Sequence, residues 1–479
     1  MSEKTATAPA GKSGPTAGAL LEPDRSKFRN PWNDRALLAY FQNLLRAHGY
    51  VRLLGLPQLR DNPDVPIETL FVEPEFSEEN ISPDRPVEQW PARVTLTEAI
   101  TTHQRMVVLG DPGLGKTSLL QWLVAQFCRS DIARLPERLG ALVPLPFVLR
   151  DLPLTADISW EGLLKLFLDQ PLAKPLRDNP DLLKDILTHG QALILLDGLD
   201  ELSSEKTKES LRTAVKTGIK KNPACRWLMT SRVAGYERSP FHDFSVPKSE
   251  RERVAGQIIE WAEGPHGLWN TTVDEFNASW DILQTGSELL YLAPFNDRQV
   301  EAFARNWYAQ READPARRDK NIQDLLSAIR SHDGTQKLAR VPNLLTMMAL
   351  IHRQRAALPQ GRVNLYGDIA QAYLHGIDDF RGLKENFDTL PQKKQWLARL
   401  AFEMQSLRTE EQGDGDQAGV MVDREQAIEW LAQAMVNDQP SDTRLAAAKF
   451  LDYLQRRTGL FMERSSGKWA FLHLSFQEY

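Results

Sequence analysis

The sequence predicts an α/β domain with a parallel sheet and helices on both faces, followed by an all-α helical domain and a winged-helix domain. Three observations predict it. Short apolar runs alternate with amphipathic stretches between Arg105 and Ser231. Strand signals become rare after Arg232. The chain closes on a helix pair followed by two strand-like pieces. Strands that alternate with helices build parallel sheets, because each crossover lays a helix on a face of the sheet.

Residues 1–30 are rich in Ala, Thr, Ser, Gly and Pro and read as a disordered tail. They lack the apolar core of a signal peptide. Between Asn30 and His48, the side chains Leu37, Leu38, Phe41, Leu44 and Leu45 recur at helical spacing. Asp61–Arg93 is rich in Pro, Asp and Glu and reads as an irregular connector, with a short strand at Ile67–Val72. Residues 31–93 are therefore a short helical segment and a connector.

Residues 94–290 form the α/β domain. Its strands are expected at Arg105–Gly110, Ala141–Leu149, Ala192–Asp197 and Arg226–Ser231. Its helices are expected at 116–129, Trp160–Asp169, Asp181–His189 and Glu205–Lys221. Residues 237–289 fit neither period and read as an insertion. Residues 291–380 form the helical domain, with helices at Asp297–Tyr308, Asn321–Arg330, Asn343–Arg355 and Leu365–Leu374. Residues 381–479 form the winged helix. Its helices are Gln392–Met404, Arg424–Met435 and Asp442–Arg456, and its strand pieces are Leu460–Glu463 and Trp469–Leu474. No internal repeat is visible.

Composition narrows the function. Apolar residues make up 42% of 479, enough for large cores, and the net charge is −6. An acidic balance argues against a protein coated for nucleic acid. The two cysteines, Cys128 and Cys225, supply neither a disulfide framework nor a zinc site, which fits a reducing cytoplasm. Val341–Ile351 is far short of the roughly 20 apolar residues that a membrane-spanning helix needs.

The chemistry is concentrated in three places. Gly110-Asp111-Pro112-Gly113-Leu114-Gly115-Lys116-Thr117 matches the phosphate-loop pattern, between a strand and a helix. Its glycines let backbone N–H groups turn inward around phosphate oxygens, and the helix start adds partial positive charge. Lys116 is expected on the β- and γ-phosphates, with Ser118 beside it, and Thr117 on Mg²⁺.

Second, the apolar run Leu193–Leu196 delivers Asp197 to the carboxyl edge of the sheet, as a direct or indirect Mg²⁺ partner. Asp200 and Glu201 follow as candidates to orient or deprotonate an attacking water. Many fast ATPases carry a glutamate directly after the metal-binding aspartate. Here Gly198 stands there, which predicts slow hydrolysis. Third, Thr230-Ser231-Arg232 ends a strand, and Arg232 is expected to face the γ-phosphate from a neighbouring strand. The sequence holds no HExxH and no Gly-x-Ser-x-Gly elbow.

Together these segments resemble the NACHT-type signal-transducing NTPases of the STAND class, which includes animal NOD-like receptors and many bacterial immune proteins. The resemblance covers roughly Val51 to Tyr479. It rests on GDPGLGKTS, on VPLPFVLRDL at Val143–Leu152, on LLDGLDEL at Leu195–Leu202 and on TSR at Thr230–Arg232. It continues through VPNLLTMMALI at Val341–Ile351, LPQGRVNLY at Leu358–Tyr366 and FLHLSFQEY at Phe471–Tyr479.

The resemblance implies ATP or ADP with Mg²⁺ as ligands. It also implies a homo-oligomer on activation, a protein or nucleic-acid trigger, and a role in bacterial antiviral defence. Pro342 is similar to a helical-domain proline near the adenine. His473 is similar to a winged-helix histidine on the β-phosphate of bound ADP. Trp307, Trp396 and Trp469 read as core. Relatives usually continue past the last motif into a sensor region, so either the chain is cut at Tyr479 or a partner supplies sensing. Only Arg464 and Lys468 are basic within Leu460–Leu474 apart from His473, which argues against direct DNA reading. Two other functions remain open at this point: a constitutive ATPase, and a nucleotide-locked scaffold without turnover.

Overall fold

The computed structural model describes residues 23, 25–51, 65–129, 134–202, 205–233, 236, 287–355, 358, 362–371, 374, 390–411, 421–437, 442–455, 460–465 and 468–471. Among these residues twelve strands are numbered in chain order. A small antiparallel pair joins β1 (Tyr50–Val51) to β2 (Val65–Pro66). The main sheet contains β3 (Glu75–Ser77), β4 (Val94–Thr95), β5 (Arg105–Leu109), β6 (Val143–Val148), β7 (Ala192–Asp197), β8 (Arg226–Ser231) and β9 (Ser287–Leu292). Its spatial order is β4-β3-β9-β5-β8-β7-β6. The last five strands in that order run parallel, and β3 and β4 add an antiparallel edge.

The apolar runs explain this sheet. All six residues of β7 are buried and its first five are apolar, as a central strand of a parallel sheet requires. The four expected strands lie where the sequence placed them. The expected helices in this region appear at Lys116–Cys128, Trp160–Leu168, Pro180–Thr188 and Glu205–Lys221.

Three features differ from expectation. Ile67–Leu70 is a helical turn and not a strand. Ile67 and Leu70, three positions apart, both turn inward, and the adjoining Phe71 ring stacks on Trp122 at 4.8 Å. The connector is also less irregular than its composition suggests, since Glu75–Ser77 joins the main sheet, pairing with β9 and with Val94–Thr95 just past the connector's end. Finally, β9 pairs with β5 from Ser287 to Leu292, so a sheet strand crosses position 290, where the sequence placed a domain end. Its SELLYL run holds two polar residues, which hid it among the weak signals before it. Most of 237–289 lies outside the described residues.

The N-terminal helix Arg35–His48 packs on Lys116–Cys128. Its Tyr40 hydroxyl donates to the Pro144 carbonyl on β6 at 2.7 Å. Ahead of it, the Gln191 side chain both accepts from Arg29 N–H and donates to the Arg29 carbonyl, tying the chain to the start of β7.

After β9 the described chain is mostly helical, at Asp297–Ala309, Pro315–Arg330, Asp333–Ala339, Pro342–Arg355, Arg362–Gln371 and Leu390–Glu411. The seven-residue helix Asp333–Ala339 is additional to the expected set. Helices Arg424–Met435 and Thr443–Tyr453 then pack on each other. Beside them lies an antiparallel sheet in the order β10 (Val422–Asp423), β12 (Lys468–Phe471), β11 (Phe461–Ser465). Trp307, Trp396 and Trp469 are buried, as expected of core residues. Both cysteines are buried and neither forms a disulfide. Among the described residues no helix is long and apolar enough to cross a membrane.

Candidate functional site

Strand β5 ends at Leu109, and the loop from Gly110 to Gly115 carries the chain into the helix that starts at Lys116. Gly110 N–H donates to the Ser231 carbonyl at 3.2 Å, which pins the loop to the end of β8. Gly113 and Gly115 have φ of 85° and 95°, a left-handed conformation that glycine adopts without steric cost. A side chain at Gly115 would meet nothing within 4 Å, so open space lies at the mouth of the helix. A glycine loop that opens into free volume at a helix start suits a phosphate cradle.

Gly113 is different, because its outer side is occupied. A Cβ there would stand 3.2 Å from Asn343 Cβ and 3.2 Å from Val341 Cγ1. Asn343 N–H donates to the Gly113 carbonyl at 3.1 Å. Pro342, between these two contacts, is the first residue of the helix Pro342–Arg355, where a missing N–H costs nothing. The helical region thus rests directly on the phosphate loop.

The Lys116 ammonium folds back on the loop, donating to the Gly110 carbonyl at 2.6 Å and the Asp111 carbonyl at 3.2 Å. Burial lowers its pKa. Asp200, Asp111 and Asp197 oppose the shift, and Arg232 adds to it. Pro112, Leu114 and Ser118 complete the loop and first helical turn, with Leu114 buried beneath them.

Asp197 ends β7. Strand β8 lies between β7 and β5, so Asp197 reaches the loop across the end of β8. The Thr117 hydroxyl donates to Asp197 Oδ2 at 3.0 Å, and the Thr230 hydroxyl donates to Oδ1 at 2.6 Å. Thr117 and Asp197 together offer hard oxygen atoms beside the loop, which suits Mg²⁺ completed by phosphate oxygens and water. Among the described residues no group of three or more His, Cys, Asp or Glu could hold a metal ion. A cation here would need the phosphates as ligands.

Gly198 has φ 84° and ψ 51°. The left-handed turn redirects the chain into Leu199–Glu201 and presents Asp200. A glutamate at Gly198 would cost about 1–2 kcal/mol in backbone strain. The departure from the fast-ATPase pattern therefore has a backbone cause.

Asp200 is not free to meet a water. Its Oδ1 accepts from Arg232 N–H at 2.9 Å, and its Oδ2 pairs with Arg232 Nε at 2.9 Å. Arg232 Nη1 also donates to the Gln455 carbonyl at 3.3 Å, just past the helix Thr443–Tyr453. Asp200 and Arg232, expected to act separately, form one ion pair. The Glu201 side chain and the whole of His473 lie outside the described residues.

Three contact residues escaped the sequence reading. Thr230 stood inside the TSR motif but was not singled out. Asn343 adjoins Pro342. Gln455 contributes only a backbone carbonyl, for which no sequence signal exists.

A glycine loop at a helix start, with a lysine inside it and an acid on a neighbouring strand end, defines the class of P-loop nucleoside triphosphatases. A family model described as NACHT domain matches residues 104–244, and this part of the chain is a NACHT-type NTPase domain. Solved structures similar to the chain include a Walker-type ATPase of Pyrococcus abyssi, 14% identical, with a TM-score of 0.35 over 80% of this chain and 92% of that one. Another is Cdc6p from Pyrobaculum aerophilum, 10% identical, with a TM-score of 0.28 over 78% of this chain and 84% of that one. Overlaps of that quality add nothing to the sheet order and loop geometry. A comparison with curated proteins gave no match.

Proposed function

We propose that this chain is a slow, Mg²⁺-dependent ATPase that serves as an ATP/ADP-controlled signalling switch and oligomerises on activation. The observation that carries the reading is the double engagement of Arg232 with Asp200 and with the Gln455 carbonyl. The guanidinium stands at the end of the strand beside the phosphate loop. A γ-phosphate offers it a stronger, bidentate partner than a neutral carbonyl does. The same fork cannot hold both, so triphosphate binding competes with docking of the C-terminal unit.

In this reading Gly110–Ser118 bind the phosphates, and Lys116 leaves its loop carbonyls for the β- and γ-oxygens. Bound Mg²⁺ would neutralise charge on those oxygens, held by Thr117 and steered by Asp197. Asp200 and Glu201 are the candidates to take a proton from water. Asp200 becomes available only after Arg232 turns away, which fits slow turnover. Pro342 is read as packing near the base, and the contacts of Val341 and Asn343 with Gly113 support this by holding the start of its helix on the loop. The unit formed by residues 381–479 is read as a winged helix, with His473 on the β-phosphate of ADP.

Ligand at about 1,000 times its dissociation constant shifts a two-state equilibrium by roughly 4 kcal/mol. Full conversion from 1:99 to 99:1 needs about 5.5 kcal/mol. At that loading ATP alone would fall short of such a conversion, and a trigger, protein or nucleic acid, or neighbouring protomers would supply the remainder. A cytoplasmic role in bacterial antiphage defence follows from the resemblance to immune NTPases and from nothing in the geometry.

The test is to compare oligomeric state and turnover in ATP and in ADP. ATP-dependent assembly with slow turnover is expected. Steady turnover without assembly would make the chain a constitutive ATPase. Permanently bound ADP without exchange would make it a scaffold.

A further inference from the structure

We propose that Thr230 is the positioning residue that fixes which oxygen of Asp197 faces the metal and that holds the turn presenting Asp200. This inference rests on the nucleotide-site reading above.

Thr230 is fully buried on β8, following Trp227, Leu228 and Met229. Its register partner on β5 is Val108. Valine has nearly the shape of threonine, so packing alone would be served by valine at both positions. A hydroxyl in such a place carries a desolvation penalty unless it is fully bonded. Here it is bonded, and both partners belong to the site.

The directions of these bonds are fixed by chemistry. Gly198 N–H can only donate, and it donates to Thr230 Oγ1 at 3.2 Å. An ionised Asp197 can only accept, so the single hydroxyl proton of Thr230 goes to Asp197 Oδ1 at 2.6 Å. With Oδ1 occupied, the carboxylate plane is set and Oδ2 is turned toward Thr117. One hydroxyl thus orients the acid and anchors the left-handed glycine after it. Asp200 follows two residues later, and Arg232, two residues beyond Thr230, closes the ring by pairing with Asp200. Partners that orient a metal-site carboxylate typically change metal affinity by about 10–100-fold when removed.

The test measures Mn²⁺ binding to the full chain with ADP, following the free ion by electron paramagnetic resonance. Thr230→Val should weaken Mn²⁺ binding by about tenfold. ADP affinity in chelator should stay within about twofold of wild type, because Thr230 touches no phosphate-loop residue in the bonds described. Thr230→Ser should restore metal affinity. If Thr230→Val binds Mn²⁺ as wild type while Asp197→Ala does not, the positioning role is overturned and the site reading stands. If Asp197→Ala also binds as wild type, the site reading itself falls. Should the valine variant fail to fold, Thr230→Ala against Thr230→Ser makes the same comparison, and equal Mn²⁺ affinities would overturn the role.

Discussion

Arg232 reaches Gln455 across 223 positions of sequence, its Nη1 lying 3.3 Å from the Gln455 carbonyl oxygen while its Nε holds Asp200. A strand end beside the phosphate loop is thereby joined to the C-terminal helical unit. Because the arginine donates to a backbone carbonyl, no change of side chain at Gln455 would remove the bond. The arginine itself is the place to cut it.

Arg232→Ala should loosen the helix Thr443–Tyr453. Hydrogen bonds to charged groups contribute about 1.5–3 kcal/mol. Amide exchange across that helix should therefore accelerate by about tenfold or more. Arg232→Lys keeps the charge but loses the fork, and should not restore protection. Unchanged exchange in Arg232→Ala would show that other contacts hold the unit.

Lys116→Ala should abolish nucleotide binding, because the loop loses the ammonium that now rests on the Gly110 and Asp111 carbonyls. Isothermal titration with ATP and with ADP reads this directly. Retained micromolar affinity would rule out the assigned loop.

Gly113→Ala should cost about 1–2 kcal/mol from its left-handed backbone. It should also push against Val341 and Asn343, each 3.2 Å from the new methyl. Thermal unfolding reads the stability loss. The further expectation is a weaker response of the helix Pro342–Arg355 to nucleotide, followed by amide exchange with and without ADP.

Asp200→Asn and Glu201→Gln separate the two candidate bases. Under the proposed mechanism at least one should slow hydrolysis by about 10²-fold or more with nucleotide affinity kept. Asp200→Asn should additionally free Arg232 and speed exchange at Thr443–Tyr453, whereas Glu201→Gln should not. Equal turnover in both variants and wild type would sink the assignment of either as base.

His352 gives a pH prediction. It is buried, and its Nδ1 lies 2.6 Å from the Tyr308 hydroxyl, which donates to it when the neutral ring carries its proton on Nε2. Burial lowers the His352 pKa below 6.5, with Asp324 opposing. The Tyr308 hydroxyl is pushed up to about 12, also by burial, so it stays protonated as the donor. In the window between the depressed value and 6.5 the unfolded chain binds a proton that the folded chain does not. Stability is therefore full above that window and falls as pH drops through it. His352→Gln should flatten this acid limb in denaturant titrations at several pH values. An identical slope in both proteins would exclude His352 as its source.

The central strands and the phosphate loop were legible because they obey local rules. A strand buried on both faces must be apolar throughout, as LILL before Asp197 is. A loop with left-handed turns must carry glycine where it turns. Most helices of the second half are legible from their 3.6-residue period, whereas Asp333–Ala339 is too short to show one. Ile67–Leu70 misled because four apolar-flanked residues fit either period. Strand β9 was hidden because SELLYL alternates weakly and follows a long stretch without pattern.

The sequence by itself determined the chemistry available: the glycines, Lys116, Thr117, Asp197, Asp200 and Arg232 at the ends of particular strands. Backbone conformation and hydrophobic period are short-range properties, so they can be read along the chain. Tertiary structure alone decided who touches whom. It placed β8 between β5 and β7, which let Thr230 take hold of Asp197. It turned Arg232 onto Asp200 and Gln455, and it set Asn343 on Gly113. Those contacts follow from strand order and from backbone atoms that every residue carries, and no local pattern of side chains encodes either.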